Sequence, residues 1–252
     1  TMRWSEHQVA MLGEMGIRLW QAPAALVEEV PQRETIAAPV AAASPQAIAS
    51  PQAIAPPQAV AGLDWPALRE AVAGCTACAL CQSRRQTVFG VGNERAHWMI
   101  VGEAPGEQED RMGEPFVGKS GQLLDNMLRA VGLTRGEAEP AKQVFIVNTL
   151  KCRPPGNRNP EPDELAKCEG FLIRQIQLVQ PKIILAMGAF AVQSLLRSTE
   201  PVGRLRGRVH QYQGVPLIVS YHPAYLLRNP VDKAKAWDDL CLAVETLQQA
   251  SR

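Results

Sequence analysis

Trp98-Met99-Ile100-Val101-Gly102-Glu103-Ala104-Pro105-Gly106-Glu107-Gln108-Glu109-Asp110 is the stretch that decides the fold. Its first four residues read as a buried strand, and Gly102 ends it. An acidic loop follows and runs on through Pro115-Phe116-Val117-Gly118-Lys119-Ser120-Gly121. A helical pattern then opens at Gln122-Leu123-Leu124-Asp125-Asn126-Met127-Leu128. A strand that stops at glycine, a loop and a helix start is how α/β proteins present chemistry at a sheet edge.

Working outward, Val144–Val147, Ile183–Ala186 and Val215–Val219 are further short apolar runs that read as buried strands. Helical patterns lie at 119–131, 163–179 and 189–197, and a last one at about 233–249. A first helix is expected near Asp64-Trp65-Pro66, with aspartate as its cap and proline in its first turn. Alternating strands and helices predict an α/β three-layer sandwich, with a central four-stranded, mostly parallel sheet covered on both faces. This domain is expected to occupy residues 64–252.

Residues 36–63 carry no charged side chain. Ser44-Pro45-Gln46-Ala47-Ile48-Ala49 recurs as Ser50-Pro51-Gln52-Ala53-Ile54-Ala55 and again as Pro56-Pro57-Gln58-Ala59-Val60-Ala61. Repeated proline blocks helix propagation and alanine offers little area to bury, so residues 35–63 read as a disordered, extended linker. Residues 1–34 precede it as a short helical peptide. Val9, Leu12 and Met15 have helical spacing, Gly16 ends the helix, and Ile17, Leu19 and Trp20 follow as an apolar group. A segment this short holds no core and must dock on this chain or on a partner, with Trp4 and Trp20 as aromatic anchors.

The formal net charge of +1 neither demands nor excludes nucleic acid, so DNA binding needs a local basic patch. No run of 18 apolar residues is present, which predicts no membrane span. The N-terminus lacks a secretory pattern, and a cytoplasmic location is expected. Six cysteines there read as metal ligands or buried thiols rather than disulfides. Cys75-Thr76-Ala77-Cys78 with the distant Cys152 and Cys168 suits a four-thiolate site for zinc or an iron–sulfur cluster. Cys78-Ala79-Leu80-Cys81 is a second pair of the same spacing, and Cys241 reads as a core residue of the last helix.

Several ordered motifs resemble the iron–sulfur uracil-DNA glycosylases, the family-four branch of that superfamily. They are Cys75-x-x-Cys78, Val88-Phe89-Gly90-x-Gly92, Val101–Asp110 and Gly113-x-Pro115-Phe116-Val117-Gly118. Asn148-Thr149-Leu150-Lys151-Cys152-Arg153-Pro154-Pro155, Asn157-Arg158 and His222-Pro223-Ala224-Tyr225-Leu226-Leu227-Arg228 complete the set. The resemblance covers about residues 64–250. It implies a [4Fe–4S] cluster on Cys75, Cys78, Cys152 and Cys168, with Cys81 an extra thiol. Gly106 lies where other branches place a bulky residue that excludes thymine, so thymine rejection is expected to come from elsewhere.

Cleaving an N-glycosidic bond builds positive charge on the deoxyribose and negative charge on the departing base. The site needs an anion near the sugar and a donor near the base oxygen. Glu103 or Glu109 is the candidate anion and water-positioning group, and His222 the candidate donor. Asn148 is placed to pair with the uracil edge, and Phe116 to stack on a flipped base beside Gly102. Arg204, Arg206 and Arg208 form a local basic cluster, joined by Lys151, Arg153, Arg158 and Arg228 as candidate phosphate contacts. Tyr225 and Leu226 are expected to wedge into the duplex.

The N-terminal segment, with Trp4, Leu12-Gly13, Gly16-Ile17 and Trp20, resembles the N-terminal peptide of the psi subunit of the bacterial clamp loader. That likeness implies clamp-loader ATPase subunits and the chi subunit as partners, with the linker tethering the body at the replisome. Two function classes follow. One is a uracil-excising DNA glycosylase tethered to replication. The other is a clamp-loader psi-type accessory subunit whose glycosylase-like domain is a DNA-binding module with little or no catalytic activity.

Overall fold

In the computed structural model, residues 60–250 are described. The expected peptide at 1–34 and nearly all of the linker at 35–63 lie outside the described residues. The first helix is α1 (Trp65–Ala73), capped by Asp64, whose Oδ1 accepts from Ala67 N at 3.0 Å. It is followed by α2 (Leu80–Ser83), β1 (Val91–Gly92) and β2 (Trp98–Gly102). Next come α3 (Glu107–Met112), α4 (Lys119–Ala130) and β3 (Val144–Asn148). The second half comprises α5 (Pro162–Val179), β4 (Ile183–Met187), α6 (Ala189–Leu196) and α7 (Val202–Leu205). It ends with β5 (Val209–Tyr212), β6 (Val215–Ser220), α8 (Pro223–Arg228) and α9 (Lys233–Ala250).

The strands form one six-stranded sheet in the order β1-β3-β2-β4-β6-β5. The expected four strands are its parallel centre, β3, β2, β4 and β6. Two antiparallel edge strands were not expected: β1 pairs with β3, and β5 with β6. The physical reason is their weak pattern. β1 has two residues, one of them glycine, and β5 alternates between exposed and half-buried positions. The strands β2, β3 and β4 are buried at every position, as a sheet covered on both faces requires.

Two cores flank this sheet. One packs Leu68, Val72, Phe171, Leu172 and Ile176 of α1 and α5, with Val192 and Leu195 of α6, against one face. The other packs Leu124 and Leu128 of α4 with Leu240 and Ala243 of α9 against the opposite face. The three-layer expectation therefore holds. None of the helices among the described residues is long and apolar enough to cross a membrane.

The acidic loop is partly a helix. Residues 107–112 form α3, closed at its start by Glu109, which reaches back to accept from Gly106 N at 3.1 Å. The segment after the last strand, expected as a loop, also becomes helical as α8. Both helices are six residues long, too short to show a period of apolar positions.

Candidate active site

The parallel register sets Gly102 opposite Asn148, so the ends of β2 and β3 deliver both to one edge of the sheet. The chain then stitches the following loops together. Thr149 N donates to Gly102 O at 3.0 Å, and Leu150 N donates to Glu103 O at 3.1 Å. Gly102 tolerates no side chain here. A Cβ on it would lie 2.4 Å from Asn148 Oδ1 and 2.6 Å from Phe116 Cζ. The glycine that ends the strand thus lets the amide and the ring meet.

Phe116 is held in an unusual place. Its φ of 55° lies in the left-handed region, which is uncommon for a bulky residue. Two clamps keep it there. Gly121 in α4 sits directly on the Phe116 carbonyl, which a Cβ would meet at 1.7 Å. Glu109, buried in α3, accepts from Val117 N and Gly118 N at 3.0 and 3.1 Å through Oε1. Together with the bond from Gly106, this commits both carboxylate oxygens of Glu109 to backbone amides. Glu109 is therefore a brace of the Phe116 loop rather than a free anion.

His222 caps α8. Its Nδ1 accepts from Ala224 N at 3.2 Å, which leaves the proton of a neutral ring on Nε2. Burial first, and then Arg228, push its pKa down to about 4, so the ring is neutral at physiological pH. The imidazole stacks on Phe116, with centroids 5.3 Å and planes 30° apart. Glu103 is the other titrating group. Burial alone pushes its carboxyl from 4.5 up to about 7.

These groups share one cavity of about 800 Å³, lined by Glu103, Phe116, Asn148, Tyr221, His222, Tyr225 and Arg228 among others. That is a normal size for a ligand site. Asn148 is 2% exposed, and its Oδ1 has no partner among the described residues. A buried acceptor left unpaired beside a cavity costs free energy unless a ligand donates to it.

Several expected DNA contacts fall elsewhere. Leu226 is fully buried, so it is no wedge; its neighbour Leu227 is exposed. Arg206 is bound to Asp239, Nη2 to Oδ1 at 2.9 Å and Nε to Oδ2 at 3.1 Å, and Asp239 is completely buried. That pair anchors α9, so Arg206 is not free for phosphate. Lys151 is buried, with its ammonium on Asn148 O at 2.7 Å. Arg158 does line the large cavity, but both of its terminal nitrogens grip Glu164, at 2.6 and 3.0 Å. Arg204, Arg208 and Arg228 remain exposed, with no ion pair among the described residues.

The cysteines meet away from this cavity. Cys75, Cys78, Cys81, Cys152 and Cys168 all line a second, small pocket with Arg84, Lys167 and Phe171. None of them is in a disulfide. Two donors already address the sulfurs: Arg84 Nη1 reaches Cys152 Sγ at 3.1 Å, and Lys151 N reaches Cys168 Sγ at 3.3 Å. Burial pushes the Cys168 thiol up to about 12, so it is deprotonated only if a cation takes the proton's place. Among the described residues no three His, Cys, Asp or Glu side chains are arranged for a single metal ion. Cys241, expected in the core, is half-buried on α9.

The family profile described as the uracil DNA glycosylase superfamily matches residues 89–241, which contain every residue of the large cavity named above. This chain belongs to the uracil-DNA glycosylase superfamily. Among curated relatives, it is 41% identical over 167 residues to a type-4 uracil-DNA glycosylase of Archaeoglobus fulgidus, covering 63% of this chain and 81% of that one. It is 39% identical over 190 residues to the type-4 uracil-DNA glycosylase of Pyrobaculum aerophilum, covering 71% and 93%. The type-4 uracil-DNA glycosylase of Thermotoga maritima is 42% identical over 162 residues, covering 64% and 81%. Within the superfamily fold, the glycine-terminated strand is one of the two inner strands of the parallel set, and its loop lines the cavity.

Proposed function

We propose that this protein excises uracil from DNA by hydrolysing its N-glycosidic bond. The observation that carries the reading is the unpaired, buried Oδ1 of Asn148 in the cavity that Phe116 and a neutral His222 also line. A uracil edge offers the matching groups: its N3–H donates to Asn148 Oδ1, and its O4 accepts from the amide nitrogen. Phe116 packs on the base. As the glycosidic bond breaks, the electron pair leaves with the base, and His222 Nε2–H donates to the developing oxyanion at O2. A neutral donor suits this task, because it need not be protonated first.

Glu103 has no ion pair among the described residues and lines the cavity. Ionised, it faces the positive charge that develops on the deoxyribose and takes the proton of the water that adds to C1′. Of the two candidate carboxylates, only Glu103 is free for this, since Glu109 is spent on three backbone amides. Arg204, Arg208 and Arg228 supply phosphate contacts, and the balanced net charge does not prevent this. Purified protein incubated with a uracil-bearing oligonucleotide is expected to leave an abasic site. No abasic product at a large enzyme excess would refute the reading.

A [4Fe–4S] cluster on Cys75, Cys78, Cys152 and Cys168 fits the thiol-lined pocket, with Cys81 as the spare thiol. When bound, such a cluster cross-links α1–α2, the loop after β3 and α5 without taking part in the reaction. Lys151 lies between it and the site, with its backbone on Cys168 and its ammonium on the Asn148 carbonyl.

Residues 1–34 add a proposed tether. The Trp4, Leu12, Ile17 and Trp20 pattern and the uncharged linker support docking on clamp-loader subunits, with the catalytic body held near replicating DNA in the cytoplasm. Deleting residues 1–34 is expected to abolish association with the clamp loader and leave uracil release in solution intact. Unchanged association would refute the tether.

A further inference from the structure

The cavity is larger than a single pyrimidine base requires. Phe116 and Asn148 are buried in it, whereas Tyr221 and Tyr225, which also line it, are half-buried. These two tyrosines stack on one another, with ring centroids 4.9 Å and planes 19° apart. The phenol end of Tyr225 is held. Tyr225 O–H donates to Asp232 Oδ2 at 2.7 Å, and Asp232 is paired with Lys235 at 2.8 Å. The Tyr221 hydroxyl lies over Gly203, where a Cβ would sit 3.3 Å from it. Rings already fixed lose little entropy when a ligand meets them.

Their place in the chain gives the pair its meaning. Tyr221 directly precedes His222, and Tyr225 follows it in the first turn of α8. The Phe116–His222 stack and the Tyr221–Tyr225 stack therefore flank one short backbone segment. The tyrosines line the same cavity as Phe116, so a strand that seats one base on Phe116 runs through a space that they also border. Arg228 lines the same cavity, and Arg204 follows Gly203; both are exposed cations suited to the intervening phosphates.

We propose that Tyr221 and Tyr225 form a stacking platform for the nucleobase adjacent to the excised uracil, and that single-stranded or locally melted DNA is the preferred substrate. In a duplex, that neighbour is already stacked and paired, and leaving the helix costs free energy. In a single strand it is free to exchange one stack for another, and aromatic platforms accept any base. This inference rests on the uracil-excision reading of the same cavity.

The test uses single-stranded oligonucleotides with one uracil, whose 5′ or 3′ neighbouring base is replaced by a tetrahydrofuran abasic analogue. Binding is read by fluorescence anisotropy and uracil release in single turnover, also on the same strand annealed to its complement, where slower release is expected and equal or faster release would overturn the single-strand preference. Removing one of the two neighbours is expected to weaken binding by about tenfold, the scale of one base–aromatic stack. The double variant Tyr221→Leu, Tyr225→Leu should lose the same factor on the full oligonucleotide and nothing more on the abasic-neighbour one. Tyr221→Phe, Tyr225→Phe keeps both rings and should keep the discrimination, which covers the case in which the leucine variant does not fold. Wild-type binding indifferent to both neighbours would overturn the platform. So would an equal loss by the leucine variant on every oligonucleotide, the result of a packing role alone. Neighbour-dependent binding without uracil release would instead remove the glycosylase reading and leave the platform standing.

Discussion

Replacing Glu103 with glutamine should make the protein more stable and less active at once. The carboxyl is pushed from 4.5 to about 7 by burial, with no cation to offset it. Ionising it inside the fold is therefore unfavourable relative to the unfolded chain. The folded state holds this proton more tightly, so stability falls as pH rises through the window from 4.5 to about 7, and the full penalty applies above it. That shift corresponds to at most about 3 kcal/mol above pH 7. For a domain of this size each kcal/mol moves Tm by about 2–4 °C, so Glu103→Gln should raise Tm by up to about 10 °C at high pH. Near the lower end of the window the wild-type carboxyl is protonated and isosteric with the amide, and the two proteins should melt together. The assay is Tm against pH for both proteins, prepared anaerobically, beside single-turnover uracil release. Wild-type release should rise with pH to a plateau above about 7, whereas the variant should be slow throughout. A variant destabilised at high pH, or stabilised equally at low pH, would refute an unpaired buried carboxylate at this position.

Further outcomes follow from the same geometry. Gly102→Ala places a methyl 2.4 Å from Asn148 Oδ1 and 2.6 Å from the Phe116 ring; kcat/KM should fall about 100-fold, on the scale of losing one preorganised donor, while the stability cost stays in the about 1–3 kcal/mol range of overpacking. Arg206→Ala should cost about 3–5 kcal/mol of stability, because it strands the buried Asp239, and it should leave the salt dependence of DNA binding unchanged; Arg228→Ala should do the reverse, lowering the salt slope by about one with Tm preserved. Cys152→Ser and Cys168→Ser should lose bound iron and visible absorbance after anaerobic purification, whereas Cys81→Ser should keep both; equal loss from all three would overturn the ligand assignment. The His222 imidazole, followed by NMR, should stay neutral on acidification until about pH 4; the unfolded chain takes up this proton first, so stability drains away between 6.5 and about 4.

Much of the site was legible in the residues. Gly102, Phe116, Asn148 and His222 carry chemistry that their order along the chain already suggested, since each follows a strand or its loop. The thiols that line the small pocket were also all visible as pairs and partners. What misled was exposure. Leu226 and Leu227 are identical neighbours in sequence, yet one is buried and the other is open, because the turn of α8 rotates them to different faces. Arg204, Arg206 and Arg208 alternate in sequence as equals, but only Arg206 meets a buried aspartate 33 residues later. Glu103 and Glu109 were equal candidates until α3 turned Glu109 back onto the amides around Phe116. The edge strands escaped notice because their pairing partners, and not their own composition, make them strands.

Composition and periodicity by themselves determined the parallel centre of the sheet, the helices that cover it and the glycine at which β2 stops. These are set by local patterns of burial, which the chain carries in its own spacing. The tertiary structure alone decided which charge is free. Glu103 becomes a titrating group near neutrality because nothing compensates its burial, and His222 stays neutral because burial, and then Arg228, disfavour its charged form. Desolvation and hydrogen bonding depend on groups brought together from distant strands, so a carboxylate that looks like its neighbours in sequence acquires its role only in the fold.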